Sequence, residues 1–168
     1  MRKFKVVMIT SYFDRNGVTS QVINYATNLD KNKFQVAIAA GEPYDIGYEK
    51  MCQENNIELC KLPQKQKNAY AYYRTIYSYL KKVKADIVHV HGSSALIAVE
   101  LLIAMLAGVP VRVSHSHNTI CSHPLLHQVL KPILKVVSNY HLACGELAGK
   151  WICLLYTSPS PRDAHESR

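Results

Sequence analysis

The sequence predicts an α/β protein built on a doubly wound parallel sheet of the Rossmann-like kind. Short runs of β-branched and apolar residues alternate with helix-length segments throughout the first 150 residues. Hydrophobic residues make up 48% of the chain, as expected of a globular protein. Apolar strands separated by helices of this length form a parallel sheet that is covered on both faces.

The predicted elements follow one another without an internal repeat. Strands are expected at 4–10, 34–40, 57–61, 86–90, 111–114 and 140–144. Helices are expected at 18–29, 48–55, 68–84, 94–107 and 124–137. Turn residues separate them: Gly41 ends the second strand, Pro63 ends the third, and Pro110 precedes the fifth. The segment 95–107 is apolar but short and contains Glu100, so it is expected in the core rather than across a membrane.

Charge and cysteine content limit the binding partners and the cell compartment that we expect. The net charge of +8 on 168 residues favours an anionic partner such as phosphate, nucleic acid or an acidic membrane surface, without selecting one. The five cysteines are scattered without a C-x-x-C pair, and no signal peptide is recognisable. We therefore expect a cytoplasmic protein with reduced thiols.

The last residues depart from this pattern. From Cys153 to Asp163 the chain turns into a Ser/Pro-rich run without periodicity, and this run resembles the in-frame translation of a sequencing-library adapter. We therefore expect a folded domain at 1–151 and a non-native, disordered tail at 152–168. The chain is then expected to be a fragment of a longer protein.

Two predicted strands end in the same motif. The fourth strand runs into His89 and His91, and the fifth into His115 and His117. Side chains alternate along a strand, so the two histidines of each pair share a face. His-x-His is a metal-ligand spacing, although the ligand set would be all nitrogen. Packing or capping histidines, and hydrogen-bond donors to a sugar or phosphate, are the alternatives.

A crevice is expected where these strands end. Right-handed crossovers place the first strand beside the fourth, and ligands bind outside the carboxyl ends of strands at such a reversal. The turn at 11–20 would then face the turn at 91–94, and both turns open helices whose free amides suit an anion. Thr19 or Ser20, and Ser93 or Ser94, are the expected N-caps. The first turn lacks G-x-G-x-x-G, which argues against an NAD-dependent enzyme.

The helix at 68–84 is rich in tyrosine and lysine. Three-four spacing predicts an inward face formed by Tyr70, Tyr73, Ile76, Tyr77, Leu80 and Val83. It leaves an outward face of Tyr72, Arg74, Tyr79, Lys81 and Lys82. Such a face is either solvated or in peripheral contact with an anionic membrane.

Three segments are recognisable together. They are, in chain order, N-G-V-T-S-Q-V-I-N-Y, D-I-V-H-V-H-G-S-S-A and G-V-P-V-R-V-S-H-S-H-N-T. In this order they resemble the amino-terminal domain of family 4 retaining glycosyltransferases with the GT-B fold. The resemblance covers 1–151 and is nearest to members that build bacterial capsular or exopolysaccharides. Asn16-Gly17 stands where the family usually has Gly-Gly.

The resemblance implies one half of a two-domain enzyme. The amino-terminal domain of the family holds a glycan or lipid-linked acceptor, and the carboxy-terminal domain, with its E-x7-E segment, holds the nucleotide-sugar donor. That second domain is expected to be absent from this chain. A single wall of the cleft cannot preorganise the transition state, so the chain is expected to be inactive alone. No metal, cofactor or nucleic acid is expected. The protein is expected in the cytoplasm, and peripheral contact with the inner face of the plasma membrane is compatible with this function.

The resemblance also implies roles for individual residues. The catalytic histidine, which contacts the transferred sugar, would be His117 or else His115. The donor phosphates would approach Asn16, Gly17, Val18 and Thr19. The acceptor side of the cleft would include His91, Gly92, Ser93, Ser94, Asn118 and Glu146.

Two other functions remain open on the sequence alone. A metal-dependent hydrolase could use the paired His-x-His motifs, and stoichiometric zinc would favour it. A basic domain could instead only dock on anionic membranes.

Overall fold

The computed structural model describes residues 2–119 and 121–152, in which strands and helices alternate. The strands are β1 (Phe4–Thr10), β2 (Phe34–Gly41), β3 (Glu58–Leu62), β4 (Ile87–Gly92), β5 (Val111–Ser116) and β6 (Tyr140–Ala143). The helices are α1 (Gly17–Asn28), α2 (Ile46–Glu54), α3 (Ala69–Val83), α4 (Ile97–Leu106), α5 (Pro124–Val137) and α6 (Glu146–Ile152). All predicted elements are present, and α6 is an addition. Of the expected tail, Ile152 ends α6, and 153–168 lie outside the described residues.

The sheet confirms the predicted doubly wound topology. Its six strands lie in the order β3-β2-β1-β4-β5-β6, and every neighbouring pair is parallel. The strand order reverses between β1 and β4, so the turns that leave these two strands diverge and open a crevice at the carboxyl edge.

Both faces of the sheet are covered, which explains why β1 is apolar at consecutive positions. Val6 and Met8 pack with α1 and α2 in one cluster. Val7 and Ile9 belong to the larger cluster on the other face, which includes Leu101 of α4 and other residues of α3 and α5. Within the described residues, no helix combines the length and apolar content needed to cross a membrane.

The inward face of α3 differs from the predicted one. Tyr72 is 1% exposed and Tyr79 is also buried, whereas Tyr70 is 75% exposed and Tyr77 is exposed as well. The buried stripe is formed by Tyr72, Ile76, Tyr79 and Leu80. Tyrosines occupy two overlapping helical stripes, so spacing alone could not select the one that packs on the sheet. The outward stripe therefore carries Tyr70, Arg74, Tyr77 and Lys81.

Candidate functional site

Four histidines meet at the carboxyl ends of β4 and β5. We call His89, His91, His115 and His117 the histidine cluster. In the parallel register His91 lies opposite His115, so the two His-x-His pairs share one face of the sheet. The ring centroids of His89 and His91 are 4.0 Å apart, and those of His115 and His117 are 4.6 Å apart. The face shared within each pair is the one that strand alternation predicted.

Cys144 connects the two halves of the cluster. Its Sγ lies 3.4 Å from Nε2 of His115 and 3.2 Å from Nδ1 of His117. His115 Nδ1 is 3.1 Å from Nε2 of His89, and His117 Nε2 is 3.0 Å from Nδ1 of His91. The backbone amide of Cys144 donates to the Ser116 carbonyl, which holds the thiol beside β5. The five side chains form one continuous hydrogen-bonded chain.

A single set of neutral tautomers satisfies this chain. The Cys144 thiol donates to Oε1 of Gln21, at 3.2 Å. The sulfur can then accept from Nε2 of His115 and from Nδ1 of His117. The other nitrogens of these rings accept from His89 and His91. Nε2 of His91 is buried and has no hydrogen-bond partner among the described residues.

Helix α1 covers the cluster. The Tyr25 ring lies 5.8–6.2 Å from the rings of His89, His91 and His115. Gln21 donates through Nε2 to the Tyr25 hydroxyl while its Oε1 faces Cys144. Gly17, Gln21 and Tyr25 are spaced four residues apart and share one side of the helix. The first turn of α1 therefore lies about 6 Å along the helix axis from the Gln21–Cys144 contact.

The amino terminus of α1 presents free amides. Asn16 is the N-cap, because its side chain accepts from the Thr19 amide and its carbonyl from the Ser20 amide. The prediction of Thr19 or Ser20 as the cap was therefore wrong. The Thr19 hydroxyl is also occupied, since it donates to the Tyr12 carbonyl. Gly17 is exposed, and an added Cβ there would meet nothing within 4 Å. The site thus offers the first-turn amides and open space.

The turn after β4 is held by residues that the sequence did not single out. A Cβ on Gly92 would lie 2.5 Å from Cγ2 of Ile97, so any other residue here would force Ile97 or the turn to shift. The Ser93 carbonyl accepts from Nε1 of Trp151, and the Ala95 amide donates to Nδ1 of His127. The His127 and Trp151 rings stack at 4.5 Å.

Helix α4 has no serine cap. It begins at Ile97, and its N-cap residue Leu96 makes no side-chain capping bond, so the prediction of Ser93 or Ser94 as the cap was wrong. Ser94 Oγ instead accepts from the Leu96 amide at 3.4 Å within the turn. The turn is stabilised by His127 and Trp151, which come from distant parts of the chain.

Burial keeps the cluster neutral. Desolvation lowers the pKa of His89 to about 4, of His115 to about 3 and of His117 to about 4. The pKa of His91 is also lowered far below its usual range, first by burial and then by the neighbouring imidazoles. The groups that this edge offers to an anion are therefore the α1 amides and not charged histidines.

The other predicted site residues lie at the rim. Asn118 is exposed directly after β5, and its carbonyl accepts from Ser116 Oγ. Glu146 is exposed at the start of α6 and forms an ion pair with Lys150. His91 and His115, each 2% exposed, lie deeper than His117. Gln21 and Tyr25 were missed, although their spacing from Gly17 placed them on the crevice side of α1.

Within 2–119 and 121–152, two groups of side chains could hold a metal ion. One is formed by His89, His91 and His115, and the other by His115, His117 and Cys144. In each group the potential ligand atoms lie within 4.8 Å of one another. The first set is all nitrogen, whereas the second adds sulfur.

Comparison with known proteins identifies the family. Residues 15–154 match the family described as Glycosyltransferase Family 4. EpsF of Bacillus subtilis (strain 168), which its name describes as a glycosyltransferase, is 28% identical over 158 residues. The alignment covers 88% of this chain but only 40% of EpsF, so the chain spans less than half of that relative.

Solved structures share the fold at low identity. Acinetobacter baumannii MurG superposes with a TM-score of 0.64 at 15% identity, over 94% of this chain and 44% of MurG. Anabaena HepE in complex with UDP gives 0.64 at 10% identity, over 89% and 40% of the two chains. A UDP-GlcNAc 2-epimerase from Neisseria meningitidis bound to UDP-GlcNAc gives 0.56 at 14%, over 89% and 43%. At identities this low, and with an epimerase among the matches, this likeness establishes the fold and not the reaction.

Proposed function

The chain belongs to glycosyltransferase family 4, and from this premise we propose that it forms the acceptor-side half of a nucleotide-sugar-dependent glycosyltransferase. One observation carries the proposal. The free amides of the α1 amino terminus and the histidine cluster lie at the same crevice, joined by the Gln21–Cys144 contact. Anion-binding amides beside neutral hydrogen-bonding side chains suit a substrate that is a phosphate at one end and a sugar at the other. The family match favours transfer over a metal-dependent hydrolase.

The donor phosphates would approach the first turn of α1. Asn16 and Thr19 shape this turn, while the Gly17 and Val18 amides point out of it with the positive end of the helix dipole behind them. A side chain at position 17 would occupy the open space there. HepE with UDP and the epimerase with UDP-GlcNAc are neighbours of this fold that bind uridine nucleotides, which supports a UDP-sugar donor.

His117 is the side chain that we assign to the transferred sugar. It is more exposed than His115, and its Nδ1 contacts a thiol, which is a weak hydrogen-bond partner. A sugar hydroxyl could replace that contact at little cost, whereas His115 is held between His89 and Cys144. His91, Gly92, Ser93, Ser94, Asn118 and Glu146 would surround the acceptor.

The family resemblance supports our proposal for the wider reaction. We assign retention of the anomeric configuration, transfer without a metal cofactor, and an acceptor that is a glycan or lipid-linked precursor of bacterial surface polysaccharide. The second wall of the cleft would come from a donor-binding domain outside this chain. Without that wall the reacting groups are not positioned, so the chain alone would not transfer sugar.

An activity comparison tests this proposal. A complete protein that carries this domain followed by a donor-binding domain is incubated with a panel of labelled UDP-sugars and a bacterial lipid extract. UDP release and labelled product are expected from the complete protein and not from the 168-residue chain. Transfer by the 168-residue chain alone, or epimerised UDP-sugar without transfer, would contradict the proposal.

We also propose peripheral contact with an anionic membrane at the cytoplasmic face. Helix α5 exposes an apolar stripe of Leu125, Val129, Ile133 and Val136, with Val129 63% exposed. Lys131 and Lys135 lie on the same helix, and the net charge is +8. An exposed apolar stripe on a helix that also carries lysines is the pattern of an interfacial helix, and this contact would bring a lipid-linked acceptor to the crevice.

Vesicle co-sedimentation tests the contact. The chain should pellet with phosphatidylglycerol vesicles, and the double variant Val129→Glu/Ile133→Glu should remain in the supernatant. Ile46→Glu changes an exposed apolar residue of α2 and should pellet like the unmodified chain. Equal pelleting of all three proteins would contradict the role of α5.

A further inference from the structure

We propose that His115, His117 and Cys144 form a Zn²⁺ site. Two imidazole nitrogens and a thiolate are a ligand set that zinc prefers, and the set contains none of the carboxylates that magnesium or calcium would need. Gln21 Oε1, 3.2 Å from the sulfur, lies where a fourth ligand or a zinc-bound water would be held. The site does not depend on the transfer reaction for its existence.

The spacing of the ligand atoms fits tetrahedral zinc. Zn–S and Zn–N bonds of about 2.3 and 2.0 Å at a tetrahedral angle place sulfur and nitrogen about 3.5 Å apart. The Cys144 Sγ is 3.4 Å from His115 Nε2 and 3.2 Å from His117 Nδ1. Small side-chain rotations would therefore admit the ion without a backbone change.

The remaining two histidines would orient the ligands. A zinc-bound imidazole donates its second N–H to an acceptor that fixes the ring. With zinc on Nε2 of His115, its Nδ1–H would donate to His89 at 3.1 Å. With zinc on Nδ1 of His117, its Nε2–H would donate to His91 at 3.0 Å. The whole histidine cluster thus has a role in one site, with two ligands and two supporting rings.

The protonation state also suits the ion. Burial holds the imidazoles in the neutral form that binds metals, so only the thiol must lose a proton when zinc binds. One thiolate reduces the charge of the bound ion to +1 in a half-buried site. Zinc would bind Nδ1 of His117, which is the atom that would contact the sugar in the proposed transfer reaction. On that proposed function, zinc and sugar exclude each other.

Metal titration of the tag-free 168-residue chain tests the site. Co²⁺ should give the intense visible bands of a tetrahedral ion and a thiolate charge-transfer band, and equimolar Zn²⁺ should remove both. Cys144→Ser and His117→Gln should each weaken zinc binding at least a hundredfold. His91→Phe should weaken it by about 10–100-fold. Cys60→Ser in β3 and His141→Gln on the other face of β6 should bind like the unmodified chain.

The cobalt spectrum and the zinc stoichiometry of the unmodified chain decide the question even if a variant misfolds. A pale octahedral cobalt spectrum, or no stoichiometric zinc, would overturn the proposal. Tetrahedral bands without the thiolate band would point to His89, His91 and His115 and would overturn it as well. Because the titration needs no sugar transfer, its failure would leave the proposed enzymatic function standing.

Discussion

The Sγ atom of Cys144 lies 3.2 Å from Nδ1 of His117, and this contact joins the carboxyl ends of β6 and β5. Through it the histidine cluster, Gln21 and the first helix form one connected unit at the crevice. The unit holds four imidazoles with pKa values below the usual range, so its stability must depend on pH.

The free energy of unfolding should fall as the pH drops below 6.5. The folded-state pKa values of His89 and His117 are about 4, against 6.5 when unfolded, so the unfolded chain binds more protons in this window. In this window, each histidine that is neutral in the folded chain and protonated in the unfolded chain lowers the free energy of unfolding by roughly 1.4 kcal/mol for every unit that the pH falls. Urea unfolding in EDTA between pH 7.5 and pH 4.5 measures the slope, with about equal stability expected above pH 7.

Single substitutions show which histidines cause this dependence of stability on pH. Between pH 6 and pH 5 the unfolded chain binds more protons than the folded chain, and His89→Phe should reduce this difference by about one proton. Val129→Ala, which changes an exposed residue of α5 without an ionisable group, should leave the slope as it is. A stability that stays level from pH 7 to pH 5 would show that the four imidazoles are not buried as neutral groups.

Asn16→Ala should lower the free energy of unfolding by about 1 kcal/mol. The substitution removes the oxygen that accepts from the Thr19 amide and leaves the first turn of α1 uncapped. Asn16→Ser keeps an acceptor at the same position and should cost much less. Equal losses for the two variants, measured by urea unfolding at pH 7.5, would argue against the capping role.

Gly92→Ala should destabilise the chain by about 1–3 kcal/mol, because the new Cβ would lie 2.5 Å from Cγ2 of Ile97. Gly145→Ala is the matched control, since no atom that the structure describes lies within 4 Å of an added Cβ there. Removing the opposing atom in Gly92→Ala/Ile97→Ala should cost less than the sum of the two single losses. If the losses of the two single variants simply add in the double variant, a Cβ at position 92 does not contact the Ile97 side chain.

Tyr72→Ala should cost about 3–5 kcal/mol, the range for a large aromatic side chain removed from a core. Tyr70→Ala, on the outward stripe of the same helix, should change stability by less than about 0.5 kcal/mol. Thermal unfolding of the two variants compares them directly. The reverse order of losses would restore the α3 orientation that spacing alone predicted.

Features of the fold that depend on local sequence could be predicted, and features that depend on packing between distant segments could not. Strand and helix order is local, because alternating apolar runs such as Val6–Ile9 must be buried on both faces of a sheet. The orientation of α3 depends on which tyrosine stripe meets β-strands that lie far away in sequence, so Tyr72 and Tyr77 were exchanged. The cap of α1 was missed because Asn16, Thr19 and Ser20 are all good cap residues and only the backbone selects among them.

The site was predictable to the same degree. Strand alternation placed His89 with His91 and His115 with His117, and the parallel register brought the two pairs together. The pairing of ring nitrogens through Cys144, and the support of the β4–α4 turn by His127 and Trp151, require side-chain positions set by three separate elements. No spacing within one segment carries that information.

The role of His117 in transfer is the central assignment for this crevice. In a complete protein that joins this domain to a donor-binding domain, kcat for UDP-sugar consumption is measured for His117→Ala and for His141→Gln, whose side chain bonds to Ser114 on the opposite face. We expect His117→Ala to lower kcat about a hundredfold or more with the fold retained, and His141→Gln to leave kcat near its original value. An unchanged kcat in folded His117→Ala would contradict the assignment of this crevice as the wall of the transfer site.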